Sequence, residues 1–448
     1  MNLLALIQRL RTLDLSAQPQ LEAKLRWMLL DSWACAVAGS RAAPVAALAA
    51  RLSPVPEPGR LLAAGPQTPP QSLALWLAMA TCWDEACEGH ALAHGRPGVA
   101  ALAALLPLSR DLSWEECRRA LLVGYEVGAR MGALLRIRPG MHVDGNWPAL
   151  GAAAAAACAM GLDDAQVQTA VQIAACQLPL SLYRPVQTGD TARNTYLGHA
   201  AALGQMAALA AASGIGAPAD AVHAYAQVGL GQSAPALDPP APEACWLLDA
   251  YFKPYAAVRH VHYGAAAAQV LREALQGRAV QRIRLQIYEE ATVYCGNRAP
   301  QTPLQAQFSL SFGLAAMLCW GRLDPWVYRE PQFQDAELRR LEAAVEIEVD
   351  APWTAAQQRG ARLHLQLADG TALSHEVTAV AGDPAQPMTE AELEQKFLAY
   401  CTGEGPEAPA RQAQAVQWLA RVRALIGPRA VGISTALPIA PPTNMVTT

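Results

Sequence analysis

Three alanine-rich blocks, Ala100 to Leu106, Ala149 to Met160 and His199 to Ala212, constrain what this chain can fold into more than any other feature. A methyl side chain lets one helix approach another closely, so blocks of this kind read as buried helices of a large bundle. Further helical patterns flank them. Leu21 to Ala38 sets Leu25, Trp27, Met28, Leu30, Trp33 and Ala34 near helical periodicity, and Ser113-Trp114-Glu115-Glu116 gives a cap and early acids ahead of Cys117 to Met131. Turn signals at Gly161-Leu162-Asp163-Asp164 and Gly214-Ile215-Gly216-Ala217-Pro218 separate the helices. No fixed-period repeat is evident.

The texture changes after the proline-rich segment Asp238-Pro239-Pro240-Ala241-Pro242. Arg282 to Tyr288 alternates Ile283, Leu285 and Ile287, and Val345-Glu346-Ile347-Glu348-Val349 repeats the period of two, so both predict half-buried strands. Leu363 to Leu367, then Asp369-Gly370, then Leu373 to Val377 predicts a β-hairpin, because Asp-Gly supplies the positive φ angles of a tight turn. The expected fold class is mainly α with an α+β second domain: a helical domain over 1–245 and an α+β domain over 250–398. Arg411 to Leu425 is helical again, so 399–435 is expected to return to the first domain, with an irregular tail at 436–448.

Bulk properties exclude several classes. The 448 residues exceed the usual single core, which favours two domains. A formal net charge of −4 and scattered arginines leave no basic footprint for nucleic acid. Ten cysteines at irregular spacings, without a C-x-x-C pair, suit reduced thiols rather than a disulfide framework or zinc ribbon. The first arginine, Arg9, follows the apolar residues of the N-terminus instead of preceding them, which is unlike a signal peptide. The alanine-rich blocks are too short and too weakly apolar to span a bilayer at about 20 residues. A cytoplasmic location with neither nucleic-acid nor membrane partner is expected.

Only three lysines stand against thirty-one arginines, so a retained lysine is expected to do what arginine cannot. Ammonium is a compact point charge, whereas guanidinium is a broad fork. Lys253 sits in Lys253-Pro254-Tyr255-Ala256-Ala257-Val258-Arg259-His260-Val261-His262, a stretch that reads as the wall of a site for an acidic small molecule or as a loop with incidental charges.

From Asp31-Ser32-Trp33-Ala34-Cys35-Ala36-Val37-Ala38-Gly39 to Gly382-Asp383-Pro384 and Lys396-Phe397, the chain resembles the MmgE/PrpD family of 2-methylcitrate dehydratases, cis-aconitate decarboxylases and iminodisuccinate epimerases. The best local matches are Lys253-Pro254-Tyr255 with Arg259 and His262, and Ala306-Gln307-Phe308-Ser309-Leu310 before an alanine-rich helix. The resemblance implies a large all-helical domain, a smaller α+β lid, a homodimer, and no required metal or organic cofactor. It further implies a site built from Asp84 to His94, including His90, from His142, and from the segment Thr191 to Ala201. In that last segment Arg193 stands where relatives usually carry lysine; in a further matching segment, Gln307 to Phe312, Phe312 stands where a tyrosine is frequent.

The chemistry follows from the residue types. Removing a proton beside a carboxylate builds up negative charge, which needs a base near neutral pKa and cations to stabilise the anion. His94 and His142 suit proton transfer, Asp84 suits orienting an imidazole, and Lys253, Arg193 and Arg259 suit carboxylates, with His262, His90 and Tyr255 as further contacts. The expected function is a cofactor-independent lyase, a dehydratase of a hydroxylated di- or tricarboxylate. A decarboxylase or an epimerase would use much of the same site, and a noncatalytic carboxylate-binding protein is the reading from another class. Two rivals are weaker. His90-x-x-x-His94 has the i, i+4 spacing of a helical metal site but lacks the glutamate of a zinc protease, and Lys253 is a poor neighbour for a cation. Gly229-Leu230-Gly231-Gln232 lacks the third glycine of a dinucleotide loop, since Ala234 stands there, and no G-x-S-x-G elbow occurs at Gly198 or Gly313.

Overall fold

A computed structural model describes residues 2–52, 69–232 and 244–425. The proline-rich segment at 238–242, Ala234 and the tail at 436–448 lie outside them. The elements used below are the helices α1 (Pro19–Ser40), α2 (Pro70–Cys82), α3 (Pro97–Leu105), α4 (Trp114–Leu134), α5 (Pro148–Ala159), α6 (Asp164–Ala175), α7 (Tyr196–Ala212), α8 (Arg259–Leu275), α9 (Glu289–Cys295), α10 (Leu310–Trp320), α11 (Glu390–Thr402) and α12 (Ala408–Arg423). The strands are β1 (Val280–Ile287), β2 (Val345–Val349), β3 (Ala361–Leu367) and β4 (Ala372–Val377).

The alanine blocks become the centre of the helical layer. Helix α5 is buried on all sides, packed by α3, α4, α6 and α7. A helix that is apolar all round is a core helix, and small side chains decide how near its neighbours come. Gly151 of α5 meets Gly124 and Gly128 of α4 so closely that a Cβ there would lie 2.6 Å from the Gly124 carbonyl oxygen. The predicted start of α4 is a full capping box: Ser113 accepts from the Glu116 amide while the Glu116 carboxylate takes the Ser113 N–H. Asp163 and Gln166 repeat the device at α6.

The strands form one mixed sheet in the order β2-β1-β3-β4. β1 runs parallel to β2, with Ile283 opposite Val345, and antiparallel to β3, with Leu285 opposite Leu363. The β3–β4 hairpin turns at Asp369-Gly370, where Gly370 has φ +85°. On β3 the residues Ala361, Leu363, Leu365 and Leu367 are buried, as a period of two requires of a strand with one covered face. Helix α8 packs against β3 and β4 and also against α10. The parallel β1–β2 pairing needs a long crossover, and α9 and α10 lie in it.

The chain then rejoins the helical layer. Thr389 and Glu392 make a third capping box, and α11, which starts at Glu390, packs against α1 and against α12. Among the described residues no single helix is long and apolar enough to cross a membrane.

Candidate functional site

The acidic segment Asp84 to Glu88 follows α2, and each of its acids is tied to a different element. Asp84 accepts two hydrogen bonds from Arg329, at 2.8 and 2.9 Å. Glu88 uses Oε1 to accept the amides of Gly98 and Val99 at the start of α3. Glu85 has φ +55°, a left-handed backbone that costs a non-glycine residue free energy and persists where the surroundings impose it. That conformation sends its carboxylate among three cations: Lys253 at 2.8 Å, Arg193 at 2.5 Å and Arg96 at 2.9 Å. Burial pushes the Glu85 carboxyl up, but Arg193, Arg96 and Lys253 together outweigh it and hold it well below the usual carboxylate range.

Asp144 is the second anion of this cluster, 2.9 Å from Arg96 and 3.2 Å from Arg193. Arg193 Nη2 thus meets both buried carboxylates, while Nη1 donates to Asn194 Oδ1 at 3.1 Å, a spread of donors along one planar group. Its Nε lies 3.4 Å from His142 Nε2 and the Asp144 amide nitrogen 3.2 Å from His142 Nδ1; a neutral ring accepts at only one of the two. Both imidazole nitrogens thus face N–H donors, and the nearest carboxylate oxygen is 3.8 Å away. Burial above all, opposed by Asp144 and helped by Arg193, lowers the His142 pKa to about 4. The ring is neutral at pH 7. It stacks on Tyr183 with centroids 5.7 Å apart.

Lys253 enters from the segment between the two portions of the chain. Its ammonium donates to both the carboxylate and the carbonyl oxygen of Glu85, at 2.8 and 2.9 Å, which leaves the third N–H without a partner among the described residues. Burial lowers its pKa against the opposing pull of Glu85. Arg259, at the start of α8, ion-pairs with Asp383 and donates to His262 Nδ1 at 3.0 Å and to the carbonyls of Val380 and Ala381. His262 is fully buried and its other nitrogen meets the Ala257 carbonyl oxygen at 3.0 Å. Tyr255 packs edge-on against His262 and donates to Gln269.

Glu85, Arg96, His142, Asp144, Lys253 and Arg259 border one cavity of about 370 Å³ between the helical layer and the α+β portion. Its floor is Glu85, Arg96, Asp144, Lys253 and Tyr251, and the His142–Tyr183 stack continues through Tyr294 to His260, whose ring lies parallel to Tyr294 at 5.8 Å. At the mouth, exposed His94 and Arg136 from the helical side face Glu290 and Arg359 from the α+β side. His94 has φ +53°, the second non-glycine residue of this loop held left-handed. Its pKa lies below the usual imidazole value through desolvation, reinforced by Arg136 and Arg359 and opposed by Glu290. Arg359 pairs with Glu290 at 3.2 Å, whereas Arg136 forms no ion pair among the described residues.

Five cations border the cavity (Arg96, Arg136, Lys253, Arg259 and Arg359) against three carboxylates (Glu85, Asp144 and Glu290), an excess of two positive charges. Adding the partners just behind the wall, Arg193 and Asp383, leaves that excess unchanged. The histidines do not add to it: burial first of all lowers His90, His142 and His260 to about 4.

Of the residues singled out in the sequence, His94, His142, Lys253, Arg259 and His90 border the cavity. Asp84, Arg193, His262 and Tyr255 do not; Arg193 and His262 stand directly behind bordering residues, and Asp84 is turned to Arg329. The His90–His94 segment is a turn closed by a bridge between His90 and Gly95, so the helical i, i+4 spacing does not apply to it. Phe312 is buried against Tyr328, Phe333 and Arg339, away from the cavity. Sequence reasoning missed Glu85 as the central anion, Arg96, Asp144, Tyr183, Arg136, Glu290 and Arg359. Adjacency to singled-out residues could have flagged Glu85 and Asp144; the others are joined to the site only through the fold.

Comparison with protein-family models gives two matches: the MmgE/PrpD N-terminal domain over residues 3–232 and the MmgE/PrpD C-terminal domain over residues 255–421. A search of curated proteins gives no match.

Proposed function

Because the chain belongs to the MmgE/PrpD family, a family of dehydratase-type lyases and related enzymes, we propose that it is a carbon–oxygen lyase that dehydrates a small hydroxylated di- or tricarboxylate using side chains alone. The observation that carries this reading is the excess of two positive charges around a cavity whose four histidines are held towards their neutral form. Such a cavity attracts a polyanion while keeping imidazole available as a base.

The cations divide the work. Arg96 and Arg193 spend their donors on Glu85 and Asp144, and Arg259 spends most of its own on Asp383, His262 and the 380–381 carbonyls. Matched by Glu85, Asp144 and Asp383, these three add no net charge and instead fix the geometry of the wall; the excess comes from Lys253, Arg136 and Arg359 against Glu290. Arg136, the third N–H of Lys253 and the donors of Arg359 that Glu290 does not occupy can touch carboxylate oxygens, which orients the substrate.

In this reading His94 takes the proton from the carbon beside a carboxylate. The electron pair left behind forms the new carbon–carbon double bond as the hydroxyl leaves the neighbouring carbon. Lys253, acidified by burial, gives that oxygen a proton, and water departs. Neutral His142 holds Arg193 across Glu85 and Asp144. Incubation with citrate, 2-methylcitrate, cis-aconitate and iminodisuccinate, read by mass and chiral chromatography, tests the proposal. Loss of one water from a hydroxylated acid is expected; loss of carbon dioxide, or inversion without a mass change, would move the chain to the decarboxylase or epimerase class.

A further inference from the structure

The loop that carries Glu85 is gripped through its peptide groups by two buried charges that no step above uses. Asp31, on α1, accepts the Glu88 amide at Oδ2, at 3.0 Å. Lys396, on α11, donates to the Ala86 carbonyl oxygen at 2.7 Å and to Asp31 Oδ1 at 2.5 Å. The pair joins residues 365 positions apart, and both side chains are almost wholly buried. Burying two charges is a poor way to add stability, since desolvation offsets their attraction and a well-packed apolar pair often does as well or better. What this pair supplies that an apolar pair cannot is a donor and an acceptor for peptide groups two residues apart in one loop.

That loop needs holding. Glu85 sits at φ +55° immediately before Ala86, and a left-handed residue persists only where its surroundings over-determine it. We propose that Asp31 and Lys396 are a positioning pair, which fixes the Ala86–Glu88 peptides so that the Glu85 carboxylate, and with it the Lys253 ammonium, stays aimed at the cavity. Helix α11 thereby supports a loop that lies 310 positions earlier in the chain. The turnover arm of the test rests on the lyase reading; the exchange arm does not.

The test is the double variant Asp31→Leu/Lys396→Met, which leaves no unpaired buried charge. Hydrogen exchange read by mass spectrometry should show the segment 84–90 exchanging at least about tenfold faster, with α1 and α11 unchanged and the melting temperature kept or raised. On any acid that the wild type converts, kcat should fall about 10- to 100-fold while KM moves less than about threefold, the pattern of a misplaced reacting group. Asp31→Asn keeps an oxygen for the Glu88 amide but loses the ion pair with Lys396, and should raise exchange in 84–90 by less than the double variant does. Exchange in 84–90 within twofold of wild type in the double variant overturns the proposal, as does a uniform loss of protection across the chain. If the double variant does not fold, Asp31→Asn carries the test: a two- to tenfold local rise in exchange is expected, and an unchanged loop overturns it. Absence of any convertible acid would count against the lyase reading and leave the exchange result to stand.

Discussion

Lys253 Nζ lies 2.8 Å from Glu85 Oε1 and 2.9 Å from the Glu85 carbonyl oxygen, so one ammonium holds both the side chain and the peptide of the loop opposite it. Removing it leaves Glu85 paired with Arg96 and Arg193, and the chain should still fold. Lys253→Ala should weaken polycarboxylate binding by at least about tenfold, the loss of one charge-assisted contact. Lys253→Arg should also be impaired, because a planar fork cannot reproduce both contacts of the ammonium. Titration calorimetry decides it: wild-type affinity in both folded variants contradicts the role.

His94 and His142 should separate. His94 is exposed at the mouth, so His94→Gln is expected to cut turnover by about 10² to 10⁴ with an unchanged melting temperature. His142 is buried against Arg193 and Asp144, so His142→Gln should lower melting temperature along with turnover. Steady-state kinetics and thermal melts on the two variants check this. A stable, inactive His142→Gln and a fully active His94→Gln would exchange their roles.

The pH dependence has two parts. Since desolvation, Arg136 and Arg359 hold the His94 pKa below 6.5, kcat/KM should rise with pH through a value below 6.5 and be level at neutrality. Arg136→Gln removes a lowering influence, so the acidic limb should move to higher pH; a shift the other way contradicts the assignment. Separately, His142 and His260 titrate near 4 in the folded chain and near 6.5 unfolded. The unfolded chain therefore binds more protons between these values. Stability should be complete above pH 6.5 and decline as pH falls towards 4, which melts at stepped pH would show.

Phe312 fills a fully buried space between Tyr328, Phe333 and Arg339. Phe312→Tyr would bury a hydroxyl among aromatic rings, which costs about 1–3 kcal/mol where it is left unsatisfied. Melting temperature should fall and turnover at permissive temperature should stay near wild type. A gain in turnover would place this position in the reaction.

The fold was legible where local chemistry decides it. Ser113 with Glu116, Asp369-Gly370 and the alternation in β1, β2 and β3 each name their element from a few adjacent residues. The strand order was not legible, because the parallel β1–β2 pairing depends on a crossover dozens of residues long. The site divided in the same way. Lys253 stood out by its rarity and His94 by its motif, but nothing in Asp84-Glu85 tells which acid faces the cavity. The left-handed backbone at Glu85 and the presence of Arg329 beside Asp84 settle that, and both are tertiary facts. Arg136 and Arg359 read as ordinary scattered arginines until the fold sets them across one mouth.

Proton exchange is the most direct test of a lyase that works beside a carboxylate. The protein is incubated in deuterium oxide with 2-methylcitrate and with citrate, and the recovered acids and products are read by mass spectrometry and proton resonance. Deuterium should enter at a carbon next to a carboxylate, at a rate that falls by about 10² or more in His94→Gln. Tight binding of the acid with no deuterium incorporated would contradict a proton-transfer enzyme and make the cavity a carboxylate-binding site.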